Sequence, residues 1–156
     1  MVNARDAQWY ERGERGRLCD FEGEHDFPQV GVNLFVLGAG QPMAMYHWEA
    51  DQEDYLVLDG EALLIADGEE RPLQKWDFVH TPAGVPHVIV GAGEGCVVLA
   101  VGAREHQDSE GWGAYPVDPT ALRHGAGVEQ ETNKAEEAYA RFKVREPARY
   151  REGWLP

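Results

Sequence analysis

The sequence has few cysteines. Only two, Cys19 and Cys96, occur among its 156 residues, and they do not form a Cys-x-x-Cys pair. So low a count does not indicate a disulfide framework, although a single disulfide is compatible with it. Each cysteine lies in an apolar run that is typical of a strand, and we therefore expect both to be small buried hydrophobic residues.

Positive charge is also scarce. The chain has 14 basic and 28 acidic residues, which gives a net charge of −14. Nucleic acids and anionic membranes attract basic surfaces, so this balance argues against both kinds of partner. No apolar run approaches the roughly 20 residues that span a bilayer, and the polar N-terminus lacks the apolar core of a signal peptide. We expect a soluble, cytoplasmic protein.

What the sequence does contain is a series of short β-like runs. Residues 16–104 alternate apolar and polar side chains or form β-branched runs, with turn signals such as Asp59-Gly60 and Asp67-Gly68 between them. Both Asp-Gly pairs are typical of tight hairpins. Many short strands with regularly spaced turns predict an all-β fold, either a sandwich or an antiparallel barrel.

The two ends of the chain differ from this pattern. Residues 1–15 are polar and predict an arm or a short helix. Near the other end, Asn133 and Glu136 have the spacing of a capping box and predict one short helix from about Lys134 to Lys143.

No linker, repeat or low-complexity tract divides the chain. We therefore expect one domain over residues 1–156, with a barrel core at about 16–104. A C-terminal extension at about 105–156, which contains the short helix, would follow the core.

Four potential metal ligands follow the strand and turn signals in the middle of the chain: His47, Glu49, Glu53 and His87. His47 and Glu49 are two residues apart and would point to the same side of a strand. Glu53 begins the next strand, and His87 follows a turn rich in proline and glycine. Paired strands would direct all four side chains to one point inside a small barrel. Imidazole and carboxylate ligands suit a borderline or hard divalent cation.

These residues resemble the two motifs of the cupin superfamily. The spacing His47-x-Glu49-x3-Glu53-x6-Gly60 is similar to the first motif, and Pro82-x-Gly84-x2-His87 is similar to the centre of the second. The resemblance covers roughly residues 30–104. It implies a cupin-type antiparallel β-barrel or jelly roll, similar to RmlC. It also implies a site for a small molecule inside the barrel. We further expect the protein to be a homodimer.

The chain departs from the usual motifs at four positions, the first of which is Gln41 at the leading glycine of the first motif. Glu49 stands where the first motif has its second histidine, which changes the ligand set to two histidines and two glutamates. Trp76 stands at the leading glycine of the second motif, and Gly91 stands at its closing asparagine. The last two changes affect turns rather than chemistry.

The number of ligands decides which chemistry we expect. If all four residues bind, two carboxylates neutralise a divalent ion, and the site suits Mn(II), Fe(II) or Zn(II) better than Cu(I). If only His47, His87 and one glutamate bind, positions stay open, as non-haem iron oxygenases require. In the remaining alternative, Glu49 faces solvent and the barrel holds no metal.

Two further residues are candidates for catalysis beside Glu49. Tyr55 shares a side of its strand with Glu53 and could offer its hydroxyl to a bound ligand, or it could simply line the barrel. His80 lies on the strand before the Pro82 turn, and by alternation we expect its side chain to point inward. There it could act as a general base, as a partner of a metal ligand, or as a hydrogen-bonded core histidine.

Tyr46 and Trp48 alternate with the candidate ligands and should point away from the barrel interior. Exposed aromatic residues of this size suggest cover from another element. Either the C-terminal tail, with Tyr150 and Trp154, or the partner subunit of a homodimer could supply it.

Two functions are compatible with these patterns. The first is a metal-dependent enzyme of the dioxygenase, isomerase or cyclase type, which acts on a small organic molecule inside the barrel. Glu49 is then either a fourth ligand or a carboxylate that moves protons. The second is a non-catalytic module that binds or senses a small molecule, with a structural metal or with none. The fold alone does not distinguish the two.

Overall fold

The computed structural model describes residues 1–107 and 109–156, which form ten strands and two short α-helices. The strands are β1 Gln8–Glu11, β2 Arg17–Asp20, β3 Val30–Leu37, β4 Trp48–Glu49, β5 Glu53–Ala66, β6 Glu69–Gln74, β7 Phe78–Thr81, β8 His87–Ala103, β9 Gly113–Ala114 and β10 Glu146–Ala148; the helices are α1 Pro119–Arg123 and α2 Ala135–Ala138. The strands pair antiparallel, which confirms the predicted all-β class. Neither helix has the length and apolar composition needed to cross a membrane.

Eight strands form one sheet in the order β10-β1-β2-β3-β8-β5-β6, with β7 paired to β5. The first half of β5 pairs with β7 and with the end of β8, whereas its second half pairs with β6 and with the beginning of β8. Register shifts between Val57 and Asp59 and between Gly60 and Glu61 separate the halves. Such bulges bend a strand, so the β5–β8 ribbon can belong to both walls of a rolled sheet.

This bend shows that one predicted hairpin is wrong. Asp59-Gly60 lies inside β5, whereas Asp67-Gly68 connects β5 to β6 as predicted. Gly60 has φ +75°, and a Cβ atom there would lie 2.0 Å from the carbonyl oxygen of Gly95. The position needs glycine because the bulged backbone of β5 passes directly against β8.

The segment that contains the first candidate ligand runs beside β8. An isolated antiparallel bridge joins His47 of this segment to His87 at the start of β8. Met43, Met45 and His47 stand at every second position of the segment, and all three are buried. The bridge therefore brings the two cupin-like motifs next to each other.

The C-terminal extension covers the other side of this segment. Tyr46 is buried in a cluster with Val88 of β8 and with Ala121 and Ala126 of the extension, and its backbone N–H donates to the carbonyl of Ala126 at 2.7 Å. The same chain thus covers this aromatic residue. The homodimer stays a prediction, because the cover of Tyr46 does not require a partner subunit.

The extension contains two short helices rather than the single predicted one. The side chain of Asp118 caps α1, a helix that the sequence patterns do not predict. The helix α2 has only four residues, and its N-cap residue is Lys134 rather than Asn133, with no side-chain capping bond. The predicted range from Lys134 to Lys143 is therefore too long, because the capping box that would support such a helix does not form.

The N-terminal segment, for which an arm or a short helix was predicted, contains strand β1 and then a short 3-10 helix at Gly13–Arg15. Strand β1 pairs with β2 on one side and with β10 on the other, so both ends of the chain join the main sheet. Trp9 is fully buried, and its ring centroid lies 5.2 Å from that of Trp154 in an edge-to-face arrangement. The sheet thus extends beyond the range 16–104 that was predicted for the barrel core.

Candidate metal centre and cavity

Two histidines from distant parts of the sequence meet across neighbouring strands. The backbone N–H of His87 donates to the carbonyl of His47 at 2.8 Å, and the N–H of His47 donates back at 3.1 Å. Directly opposed residues of an antiparallel pair place their side chains on the same face. The two ring centroids are 5.2 Å apart, and both residues are buried.

Backbone carbonyls orient both imidazole rings. The Nδ1 atom of His47 lies 2.8 Å from the carbonyl oxygen of Met45, and the Nδ1 atom of His87 lies 2.9 Å from that of Val85. A carbonyl oxygen can only accept a hydrogen bond, so each Nδ1 carries a proton. The Nε2 atoms are then directed to a common point. Histidines that ligate a metal typically have their other ring nitrogen held in this way.

Glu53 completes a group of three. Its Oε2 atom lies 3.3 Å from Nε2 of His47 and 3.2 Å from Nε2 of His87. This oxygen is buried and has no partner with hydrogen-bond geometry among the described residues. One potential ligand atom from each of the three residues lies within 4.8 Å of the other two. The structure therefore brings together three of the four predicted ligands.

The charges of this group shift the pKa values of its members. Burial by itself raises the pKa of Glu53, but the imidazoles of His47 and His87 outweigh it and hold this pKa well below its usual range. Burial lowers the pKa of His47, but the carboxylates of Glu49 and Glu53 outweigh it and raise this pKa well above its usual value. The Glu53 carboxylate is therefore ionised and able to balance a positive charge.

Glu49 lies beside the group of three. One of its carboxylate oxygens is 3.4 Å from Nε2 of His47, so the two side chains point to the same side, but the group does not extend to Glu49. The carboxylate of Glu49 lines the same cavity as His47 and Glu53. It can therefore contact a molecule that binds there without belonging to the three-residue set.

Tyr55 points to the same side of β5 as Glu53, as period-two alternation predicts. Its hydroxyl oxygen lies 2.7 Å from Nε2 of His87, and because Nδ1 of this ring carries the proton, the hydroxyl is the donor. Burial, followed by the negative charge of Glu53, raises the pKa of Tyr55 well above its usual value. The hydroxyl thus stays protonated and occupies the lone pair that a metal at His87 would use.

His80 does not point inward as alternation from the Pro82 turn predicts. It pairs with Asp54 in the register of β7 and β5, which places both on the face opposite to Glu53 and Tyr55. The side chain of His80 is exposed, and its Nδ1 atom lies 2.7 Å from Oδ1 of Asp54. His80 therefore lies at the surface beside Asp54 and does not line the cavity.

The site opens into a cavity of about 310 Å³, a volume that suits a small organic molecule. Tyr115 stacks on the ring of His47 with centroids 6.0 Å apart, and the hydroxyl of Tyr139 accepts a hydrogen bond from the backbone N–H of Met45. Sequence reasoning missed several lining residues from the chain ends: Arg12, Arg15, Trp112, Tyr115 and Tyr139. The aromatic residues of the extension indicate that it packs against another surface, but they do not show that this surface is the cavity.

The group of three fits a divalent metal ion. Metal–ligand distances are about 2.0–2.2 Å for imidazole nitrogen and carboxylate oxygen, so two ligands of one ion lie roughly 3 Å or more apart. The contacts of Glu53 with the two imidazoles, at 3.3 and 3.2 Å, meet this condition. The donor set consists of two oriented imidazoles and one buried carboxylate, which transition metals bind well.

Residues 33–102 match the family model of the cupin domain. This part of the chain is therefore a cupin domain, and the cupin superfamily that the two sequence motifs predict is confirmed. A search of the curated proteins finds no match for this chain.

Three solved structures have the same fold. A sugar phosphate isomerase from a cupin superfamily, from Silicibacter pomeroyi, is 22% identical over 67% of this chain and 75% of that chain, with a TM-score of 0.60. An RmlC-like cupin from Shewanella frigidimarina is 16% identical over 69% of this chain and 93% of that chain, with a TM-score of 0.58. The polyketide cyclase RemF from Streptomyces resistomycificus is 18% identical over 67% of this chain and 79% of that chain, with a TM-score of 0.57.

At these identities the likeness shows the fold alone. A shorter match, to a protein of Acidithiobacillus ferrooxidans, is 29% identical over 49% of this chain and 51% of that chain, with a TM-score of 0.47. This chain thus matches about half the length of that relative. The chemistry of the site therefore has to be argued from its own residues.

Proposed function

We propose that this chain binds a divalent transition metal, Mn, Fe or Zn, through His47, Glu53 and His87, and acts as a metal-dependent enzyme on a small organic molecule in the cavity. One observation supports this most strongly: two backbone carbonyls direct both Nε2 atoms towards one buried carboxylate oxygen that has no hydrogen-bond partner among the described residues. Sets of two histidines and one carboxylate bind transition metals and leave positions open for a substrate.

The other residues of the cavity have distinct roles in this proposal. A bound ion would polarise an oxygen atom of the substrate as a Lewis acid. Glu49 takes a proton from the substrate and returns it to another atom, because its carboxylate lines the cavity outside the group of three. Tyr115 and Tyr139 give the cavity aromatic walls that exclude water. Proton transfer by Glu49 is the step that an isomerase or a cyclase requires.

Metal analysis of the purified and reconstituted protein tests this function. We expect about one ion of Mn, Fe or Zn per chain, as a single three-ligand site would bind. Glu53→Gln should lose the ion, whereas His80→Ala, which changes an exposed side chain, should retain it. Glu49→Gln should retain the ion but lose turnover in substrate screens. Wild-type protein that takes up no metal after reconstitution would contradict the proposal.

One observation favours a second function, a non-catalytic module that binds a small molecule. The hydroxyl of Tyr55 already donates to Nε2 of His87 at 2.7 Å, so this histidine is satisfied without a metal. Chelator treatment separates the two functions. A metal-free module keeps its ligand affinity in EDTA, whereas a metal-dependent enzyme loses turnover and regains it when the ion is restored.

A further inference from the structure

Two arginines line the cavity without a counter-charge. Arg12 and Arg15 lie in the connection between β1 and β2, where Gly13–Arg15 forms a 3-10 turn. Among the residues that the structure describes, neither guanidinium has a carboxylate oxygen within 4.0 Å of its nitrogen atoms, the distance that defines an ion pair. The described arginine ion pairs belong to other residues, namely Arg71, Arg104, Arg123 and Arg151.

Arg12 is almost entirely buried, with 5% of its surface exposed. Its Nη1 donates to the carbonyl of Met43 at 2.9 Å and its Nη2 to that of Arg15 at 2.5 Å, and its guanidinium lies 4.8 Å from the ring centroid of Phe35. These carbonyls hold the guanidinium in place but do not neutralise its charge. Its Nε is buried and has no hydrogen-bond partner in the described part of the chain. Burial, followed by repulsion from Arg15, lowers the pKa of Arg12 to about 9, so the side chain remains charged at neutral pH.

Arg15 is half-buried and is held by aromatic faces in the same way. Its guanidinium lies 4.5 Å from the ring centroid of Tyr139 and 5.2 Å from that of Phe142, and its Nε is also buried without a described partner. Stacking on rings holds a guanidinium in position and leaves its N–H edge able to donate. A third arginine of the cavity, Arg104, differs because Glu22 neutralises it through two hydrogen bonds of 2.7 and 2.6 Å.

The lack of a counter-charge here is not due to a shortage of carboxylates, since the chain has 28 acidic residues. Burying a cation without a partner costs free energy, which a bound anion would offset. A planar guanidinium presents paired N–H donors that match the oxygens of a carboxylate or a phosphate. We propose that Arg12 and Arg15 form an anion-binding subsite, so that the molecule bound in this cavity has a carboxylate or phosphate group.

That the carboxylate or phosphate group belongs to a substrate rests on the proposed function. His47 and Glu53 line the same cavity as the two arginines, so one molecule can contact both sets of residues. Anion binding by the arginines does not depend on the metal. A substrate would then have its reacting atoms at the metal centre and its anionic group at the subsite. This arrangement fixes the orientation of the substrate at two points.

Titration of chelator-treated protein with inorganic phosphate, and separately with acetate, tests the subsite at constant ionic strength. The arginine Nε–H signals in NMR spectra report binding at the guanidinium groups. We expect saturable shifts in the wild type and an affinity about tenfold lower in Arg15→Gln, which loses charge-assisted hydrogen bonds. Arg15→Lys should recover part of this affinity, because it keeps the charge but not the paired donors.

Arg17→Gln is the matched control. Arg17 also lies over an aromatic ring, 4.7 Å from that of Trp154, and its Nε is also buried without a described partner, but it does not line the cavity. The affinity of the Arg17→Gln variant for either anion should equal that of the wild type. Circular dichroism of each variant confirms that the fold is retained.

Each outcome decides the matter. Tighter binding of phosphate than of acetate would assign a phosphate-bearing substrate, and the reverse would assign a carboxylate. The subsite is refuted if the wild type binds neither anion, or if Arg15→Gln binds as well as Arg17→Gln does. Because the protein is free of metal throughout, a chain that binds the anion and takes up no metal contradicts the proposed function alone.

Discussion

His47 and His87 are bonded to each other backbone to backbone, and each ring donates from Nδ1 to the carbonyl two residues before it. The orientation of both Nε2 atoms thus depends on main-chain atoms, with Met45 and Val85 contributing only their carbonyls. Changes of neighbouring side chains that preserve the strands should therefore leave the histidine pair in place.

Replacement of Tyr55 by phenylalanine should increase the affinity for metal. The Tyr55 hydroxyl donates to Nε2 of His87 at 2.7 Å and competes with an ion for that lone pair. A buried hydrogen bond contributes about 1 kcal/mol, so the affinity should rise roughly 3- to 10-fold. Competition with a chromogenic chelator measures the change, and Tyr115→Phe, which leaves His87 untouched, is the control. A weaker affinity would show that the hydroxyl supports the metal-bound state instead.

The ion pair of Glu22 and Arg104 should make stability depend on pH. Hydrogen bonds from Arg104 lower the pKa of Glu22. A carboxyl whose pKa is lowered by folding stabilises the protein above its unfolded pKa of about 4.3 and loses this contribution as the pH falls through the folded pKa. Because solvent screens this partly exposed pair, Glu22→Gln should reduce the free energy of unfolding by about 1 kcal/mol at neutral pH and by progressively less below about pH 4.

Urea denaturation of the wild type and of Glu22→Gln across this pH range measures the effect. The exposed Glu24, changed to Gln, is the control and should have little influence at any pH. A loss for Glu22→Gln that stays constant from neutral to acidic pH would mean that the ion pair is not its cause.

Trp76 should be a strained residue. It stands where the second cupin motif has glycine, and its φ is +76°, in the left-handed region that disfavours side chains. Its side chain is 66% exposed, so its removal creates no cavity. Trp76→Gly should therefore be more stable than Trp76→Ala by roughly 0.5–1 kcal/mol, after the greater chain entropy of glycine is counted. Denaturant titrations of the two variants should show this order, and the opposite order would mean that the turn is unstrained.

Cys19 and Cys96 should be unreactive in the folded protein. Both are buried and free, as their apolar sequence context predicts. Burial raises the pKa of each thiol to about 12, so almost no reactive thiolate exists at neutral pH. A thiol reagent should label neither cysteine in the native state and both in denaturant. Rapid labelling of the native protein would place at least one thiol at the surface.

Local patterns predicted the strands and four converging ligands, three of which the structure groups together. They did not distinguish a bulge from a hairpin. Asp59-Gly60 and Asp67-Gly68 look alike in sequence because both structures use glycine at positive φ. Only the pairing of β5 with β8 shows that the first lies within a continuous strand. The predicted orientation of His80 was wrong for a related reason. A difference of one residue in the strand register moves a side chain to the opposite face of the sheet.

The sequence by itself determined the all-β class and the cupin motifs, because strand periodicity and turn chemistry act over a few residues. It also supplied the four candidate ligands His47, Glu49, Glu53 and His87. Only the tertiary structure decided that Glu49 lies beside the group of three and that Tyr55 donates to His87. It also decided which residues of the chain ends line the cavity: Arg12, Arg15, Trp112, Tyr115 and Tyr139. Packing of the N-terminal connection and of the C-terminal extension on the sheet joins residues far apart in sequence, and no local pattern encodes such contacts.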